Sequence, residues 1–210
     1  MKTVGIFNDT SISGHYGCTA VMKTLTSELQ QRGVKPAYLW PVAEDWKPHR
    51  ALLEQYRPDI IVVNGEGTLH HSRDRKRTRD LIAVVHHAKQ LGVPAHLVNA
   101  SITALDEAAL QALATFDSIH VRESESKVFL AEHGIEAQVV PDLSLGLAEP
   151  AQAEKRSGVI VTDSVYSSTT QALEAFASSR NFKFLKMKPR LPIVTRLKAK
   201  TLRKIRRSPE

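Results

Sequence analysis

The sequence predicts an α/β protein built on a parallel sheet, and three observations predict it. Strand-like and helix-like stretches alternate, with short joins, through the first 140 residues. The run from Asp59 to Val63 is continuously apolar after its first residue, as in a strand covered on both faces. Glycines stand where helical patterns stop, at Gly33, Gly92 and Gly134. Repeated strand–helix units imply parallel pairing with right-handed crossovers.

Taken in order, Lys2 to Phe7 reads as a first strand. Cys18 to Arg32 follows as a helix, because Val21, Leu25 and Leu29 recur at helical spacing. Pro36 to Trp40 reads as a second strand. Arg50 to Tyr56 is a short helix, ended by Arg57-Pro58 because the residue before proline is pushed out of the helical region. Asp59 to Val63 is the next strand. Arg75 to Leu91 is expected as one helix, with Leu81, Ile82, Val85 and Ala88 on one side. Ala95 to Asn99, Ser118 to Val121 and Ala137 to Val140 read as strands, separated by helices at Asp106 to Ala114 and Ser124 to His133.

The pattern divides the chain. Residues 1–146 form a Rossmann-like N-terminal domain, and polar, proline-containing residues 147–157 are expected to be a linker. Residues 158–187 hold a single βαβ unit, with strands at Gly158 to Thr162 and Phe182 to Met187 and a helix at Thr169 to Arg180. One such unit is too small to bury its own core, so the second α/β domain is expected to be incomplete. Residues 188–210 form a basic tail.

Charge and composition limit the function classes. Hydrophobic residues make up 42% and charged residues 24%, ordinary for a globular protein. The net charge is +7, yet residues 188–210 hold nine Lys or Arg and one acid, so the rest of the chain is slightly negative. No specific nucleic-acid partner is therefore expected of the folded part. The single cysteine, Cys18, excludes an internal disulfide. No apolar stretch is long enough to span a bilayer, and Met1 to Phe7 lacks the pattern of a signal peptide. A cytoplasmic location is expected, with peripheral contact at the inner membrane face open to the basic tail.

Three motifs can carry chemistry. Asn8 to Gly17 (NDTSISGHYG) leaves the first strand and opens a helix, where Gly14 and Gly17 would let backbone N–H groups approach an anion. A plain polar turn explains the same residues equally well, and the spacing is not a dinucleotide fingerprint. Asn64 to His71 (NGEGTLHH) ends the most buried strand. Gly65, Gly67 and Thr68 would form a tight turn at the sheet crevice, with His70 and His71 at its mouth for proton transfer or anion contact. No Cys, His or carboxylate set with metal spacing accompanies them, so no metal is expected. In the third motif a strand ends at Arg122, Ser124 or Ser126 caps the following helix, and a later strand ends at Pro141-Asp142. Arg122 can fork an anion over the sheet edge or brace Asp142, and the residues alone favour the brace.

Elsewhere the plainer reading is preferred. Trp40 and Trp46 read as a local cluster rather than a sugar platform, and Cys18 as a small packing residue. One of His86 and His87 is expected to pack while the other is solvated. The run Arg73 to Arg79 (RDRKRTR) reads as a solvated helix end, with attraction of an anionic substrate as a secondary possibility.

In this order the motifs resemble the polysaccharide pyruvyl transferase family. Gly14 to Gly17 match its early glycine loop, Gly65-Glu66-Gly67 its glycine-run turn, and Arg122-Glu123 with Ser126 its Arg-acid-x-x-Ser motif. Asp142 matches its Asp-containing strand end. The resemblance spans about residues 1–187. It implies a GT-B-like pair of Rossmann-like domains that transfers the enolpyruvyl unit of phosphoenolpyruvate to sugar hydroxyls in bacterial cell-surface polysaccharide synthesis, leaving a ketal and releasing phosphate. Phosphoenolpyruvate would be the donor substrate, with no other cofactor, and a lipid- or nucleotide-linked sugar the acceptor. His70 and His71 are then the catalytic candidates. Gly14, Gly17, Gly65, Gly67, Thr68, Arg122, Ser126 and Asp142 are the candidates for substrate or anion binding.

Two features depart from the family pattern. Glu66 replaces the second glycine of the run, and the Arg/His motif of the family's second domain has no counterpart after Asp142. Two alternatives stay open: a non-catalytic module that binds an anion or nucleotide sugar with a partner, and a GT-B-like glycosyltransferase using another donor.

Overall fold

The computed structural model describes residues 1–147 and 157–187. Its main body is a six-stranded, wholly parallel sheet in the order β2-β1-β3-β4-β5-β6. The strands are β1 (Lys2–Asp9), β2 (Val34–Pro41), β3 (Ile60–His70), β4 (Ala95–Thr103), β5 (Ser118–Val121) and β6 (Gln138–Val139). The α/β class expected from the alternating pattern is what the chain adopts.

Alternating side chains along each strand sort the core into two layers. Val4, Ile6 and Val62 face helix α1 (Tyr16–Gln31), where Met22 and Leu25 cover them. Phe7, Ile61, Val63, Leu97 and Ile119 face the other way, against Leu53 of α2 (Arg50–Gln55), Val85 of α4 (Val84–Leu91), Leu113 of α5 (Glu107–Leu113) and Leu130 of α6 (Ser124–Glu132). α1 therefore lies on the opposite face from α2. This follows from topology: the chain moves outward from β1 to β2, then returns past β1 to β3. The reversal makes the β1/β3 junction the switch point of the sheet, the place where ligands bind in open α/β folds.

Two predicted elements are corrected. The helix expected over Arg75 to Leu91 is broken into α3 (Lys76–Ile82) and α4, with Ala83 ending the first and opening the second. Leu81 and Ile82 before the break and Val84 and Val85 after it all reach the core. The strand expected over Ala137 to Val140 is only two residues long.

After residue 157 the chain forms β7 (Ile160–Thr162), α7 (Ser167–Ser179) and β8 (Lys183–Leu185), with β7 and β8 paired in parallel as a separate two-stranded sheet. Most of the linker expected at 147–157 and the basic tail at 188–210 lie outside the described residues.

Candidate functional site

The β3 strand does not stop where its apolar run stops. Instead of turning at Gly65, it stays paired with β4 as far as His70, with Glu66 opposite Ala100 and His70 opposite Thr103. The register slips between Glu66 and Leu69, so the glycine segment is a bulged strand extension rather than the tight turn expected from NGEGTLHH. Gly65 is buried, and a Cβ there would meet the Ala100 Cβ at 2.5 Å and its Cα at 2.9 Å. Its role is close packing of β3 on β4, not contact with an anion. Thr68 is buried as well, and its carbonyl accepts the Thr78 hydroxyl at 2.8 Å, so it too is withdrawn from a ligand.

Glu66 bends the chain with a φ of 43° and sends its carboxylate into the switch point. There it accepts hydrogen bonds from the Thr10 hydroxyl at 2.5 Å, the Asn64 amide at 3.0 Å and the Cys18 thiol at 3.4 Å. Beneath it, the Asn8 amide donates to the Asn64 carbonyl at 2.6 Å, and the Asn64 amide lies 3.3 Å from the Asn8 carbonyl. The protein's own carboxylate thus occupies the position an anion would take in an open crevice. Burial, and then the Glu66 charge, push the Cys18 thiol up from its ordinary pKa, consistent with a packing residue.

The glycine loop is also used internally. Gly14 adopts a φ of 75° in the turn. His15 caps α1, its Nδ1 accepting the Gly17 N–H at 3.1 Å. The Tyr16 N–H donates to the Met187 carbonyl at 3.1 Å. Gly17 therefore spends on His15 the N–H that was expected to serve an anion.

Beyond Glu66 the end of β3 borders a cleft of about 280 Å³, walled by Gly67, His70, Ser101, Thr103, Glu123 and Phe129. His70 Nδ1 lies 2.8 Å from His71 Nδ1, and Arg75 Nη1 touches His70 Nε2. Partial burial, then the Arg75 charge, then His71 lower the pKa of His70, favouring a neutral imidazole.

Arg122 stands at the end of β5 beside this cleft. Its Nη1 donates to Asp142 Oδ2 at 2.8 Å and its Nε to Ser101 Oγ at 2.7 Å. The remaining Nη2 lies 3.6 Å from where a Cβ on the exposed Gly67 would be. The brace to Asp142 is thus formed, and the remaining nitrogen of the fork lies beside Gly67, a residue of the cleft wall. Burial opposes ionisation of Asp142, but hydrogen bonds from Ser144 and then Arg122 hold its pKa below the usual carboxylate value.

Ser126 differs from its expected role. It does not cap α6, whose N-cap is Glu123, and it is 1% exposed. Its hydroxyl accepts the Ile102 N–H at 2.6 Å and lies 3.1 Å from the Ile102 carbonyl, with Glu123 also in contact, so it pins α6 to β4. Ser101, which no sequence motif marks, and Glu123, the acid of the Arg122-Glu123 motif, also belong to the site. Ser101 links Arg122 to the Glu123 carboxylate. Its position depends on β4 continuing past Asn99, which the polar Asn99 and small Ala100 conceal in the sequence.

The plainer readings of the remaining residues agree with their surroundings. Trp40 and Trp46 are buried and donate to the Glu44 and Asp80 carbonyls. His87 is fully buried and His86 exposed.

The sequence profile of the polysaccharide pyruvyl transferase family matches residues 15–205. No curated protein matches the chain. Among solved structures, a protein described as a UDP-N-acetylglucosamine 2-epimerase from Listeria monocytogenes is similar at 12% identity with a TM-score of 0.53, over 96% of this chain and 65% of that one. An S. aureus MnaA–UDP co-structure matches at 13% identity and a TM-score of 0.49, over 96% of this chain and 66% of that one. The arabinose periplasmic binding protein of Shewanella sp. ANA-3 matches at 14% identity and a TM-score of 0.39, over 88% and 54% of the two chains. The chain therefore spans between about half and two thirds of the length of these proteins. The likeness to the Listeria protein is one of fold.

Proposed function

Because the chain belongs to the polysaccharide pyruvyl transferase family, we propose that it serves transfer of the enolpyruvyl group of phosphoenolpyruvate to a sugar hydroxyl in bacterial cell-surface polysaccharide synthesis. The observation that carries the reading is the end of β3, where Nη2 of the braced Arg122 lies beside exposed Gly67 and a histidine of depressed pKa borders the cleft that Gly67 lines.

The chemistry matches these groups. A proton adds to the methylene carbon of the donor, a sugar hydroxyl bonds to the neighbouring carbon, and phosphate departs with the electrons of its C–O bond. A second hydroxyl of the same sugar closes the ketal. Each hydroxyl must lose a proton as it bonds, and neutral His70 is suited to accept one. Exposed His71, in contact with His70, is the candidate donor of the proton to carbon. Arg122 offers Nη2 to an anionic oxygen while Asp142 and Ser101 hold its plane.

The acceptor in this reading is a lipid- or nucleotide-linked sugar, and the site of action is the cytoplasm or the inner face of the membrane. Among the described residues no helix is long and apolar enough to cross a membrane.

The test is incubation with phosphoenolpyruvate and a panel of lipid- and nucleotide-linked sugars, following phosphate release and acceptor mass. A ketal-bearing product that is lost in His70→Ala supports the reading. No product from folded protein across the panel overturns it. Unchanged turnover in both His70→Ala and Arg122→Ala overturns the residue assignment alone.

A further inference from the structure

The cleft at the ends of β3 and β4 has a wall of mixed chemistry. Two acids, Glu123 and Glu125, line it together with Thr103 and the ring-bearing Phe129, and among the described residues no lysine or arginine does. The guanidiniums that stand near it, Arg122 at 4.0 Å from Glu123 and Arg75 against His70, offset the two acids. His70, which also lines the cleft, is held toward its neutral form, first by partial burial. The cleft therefore has no excess of positive charge to draw an anion, and its groups suit an uncharged polar ligand.

Glu123 is the central group. It is the N-cap residue of α6, yet its side chain caps nothing. The carboxylate instead receives the Ser101 hydroxyl on Oε2 and contacts the Ser126 hydroxyl through Oε1. Each carboxylate oxygen carries a second lone pair, and the side chain is 34% exposed in the cleft wall. Two fixed acceptor positions are thus left for hydroxyls of a ligand. Glu125 is exposed, and partly buried Phe129 lies one helical turn beyond it on the same face of α6. A sugar ring presents donors at its edge and an apolar C–H face, which carboxylates and an aromatic ring match. At about 280 Å³ the cleft is at the small end of ligand pockets, sized for one ring rather than a nucleotide.

We propose that this cleft seats a single uncharged sugar ring, the acceptor, with Glu123 and Glu125 accepting its hydroxyls and Phe129 against its C–H face. Naming the ring the acceptor rests on the proposed function; the seat itself rests on the cleft. Gly67 lines the same cleft, and a side chain there would reach Arg122 Nη2, so an anion on that nitrogen and a ring in the cleft are neighbours.

The experiment titrates the full chain with the methyl glycosides of glucose, galactose, mannose and N-acetylglucosamine, following the His70 imidazole and Phe129 ring resonances by NMR. Inorganic phosphate is the competitor. Glu123→Gln, Glu125→Gln and Phe129→Leu are compared with the parent, and their unfolding temperatures are measured. Saturable shifts with at least one glycoside are expected, with affinity about tenfold weaker in Glu123→Gln, from the strength of a charge-assisted hydrogen bond. Weaker binding is also expected in Glu125→Gln and Phe129→Leu, which decide the matter if Glu123→Gln unfolds early. Absence of saturable shifts with every glycoside, parent-like affinity in a folded Glu123→Gln, or displacement of the glycoside by phosphate overturns the proposal. Where transfer is measured, Glu123→Gln should raise the KM for the sugar and leave that for phosphoenolpyruvate unchanged. Glycoside binding in a protein that transfers nothing leaves the seat standing and removes only the proposed function. Transfer with an unchanged sugar KM in Glu123→Gln removes only the seat.

Discussion

Glu66 accepts the Thr10 hydroxyl at 2.5 Å, and through this bond the far end of β3 holds the loop that leaves β1. The two residues are 56 positions apart, and their contact closes the crevice at the sheet's switch point. Glu66→Ala removes the acceptor for Thr10 and for the Asn64 amide, and places a Cβ residue without compensating bonds at a φ of 43°. A loss of about 1–3 kcal/mol is expected. Glu66→Gln keeps an acceptor oxygen and the same shape, so it should lose less than half as much. Urea midpoints of the two variants check the order.

The pair Arg122 and Asp142 gives a pH prediction. Hydrogen bonds from Ser144 and Arg122 keep the folded pKa of Asp142 below its unfolded value. Its contribution is therefore fully present above the unfolded carboxylate pKa of about 3.9 and is lost as pH falls through the folded pKa. Because both side chains are about a quarter exposed, at 27% each, the contribution is about 1 kcal/mol after allowance for solvent screening. Asp142→Asn should be less stable than the parent near neutrality, and the difference should shrink as pH drops below about 3.9. A constant difference across that range would contradict the assignment.

Gly65 and Gly67 are two residues apart but should respond oppositely to alanine. At Gly65 the added Cβ meets Ala100 backbone at 2.9 Å, so β3 and β4 must separate, at a cost of about 1–3 kcal/mol. At Gly67 the nearest atom is Arg122 Nη2, at an ordinary 3.6 Å, and the fold should change by no more than about 0.5 kcal/mol. Gly67→Ala narrows the cleft beside Arg122, so transfer activity or ligand affinity should fall while the melting temperature holds. Circular dichroism melts set against activity separate the two effects.

His87 is fully buried, packed on the Trp46 ring at 5.3 Å, and neither of its ring nitrogens has a hydrogen-bond partner among the described residues. Burial lowers its pKa, so the unfolded chain binds the proton more readily than the folded one. Stability should fall as pH drops through the unfolded value of about 6.5 toward the lower folded value. His87→Leu removes that term without stranding a donor. It should match or exceed the parent near pH 7.5 and lose less between about pH 7.5 and about pH 5.5. Equal acid sensitivity in the two proteins would refute the account.

By itself the sequence determined the α/β class, most of the helix and strand positions and the braced partner of Arg122. Those are set by local rules: apolar runs define strands, helical spacing defines helices, and a strand-end arginine with a later strand-end aspartate allows few pairings. It did not reveal that β3 continues through its glycines. Backbone pairing with β4 holds that segment extended, and pairing between residues 33 or 34 positions apart leaves no local mark at Gly65 or Thr68. Only the tertiary structure decided that Gly65, Thr68 and Ser126 are packing groups, that His15 takes the Gly17 N–H, and that Glu66 fills the crevice. For Gly65, Ser126 and Glu66 the deciding partners, Ala100, Ile102 and Thr10, lie on or just past neighbouring strands, and strand order is a property of the assembled sheet. The sheet turned an acid that looked out of place in a glycine run into the residue that closes the β1/β3 junction.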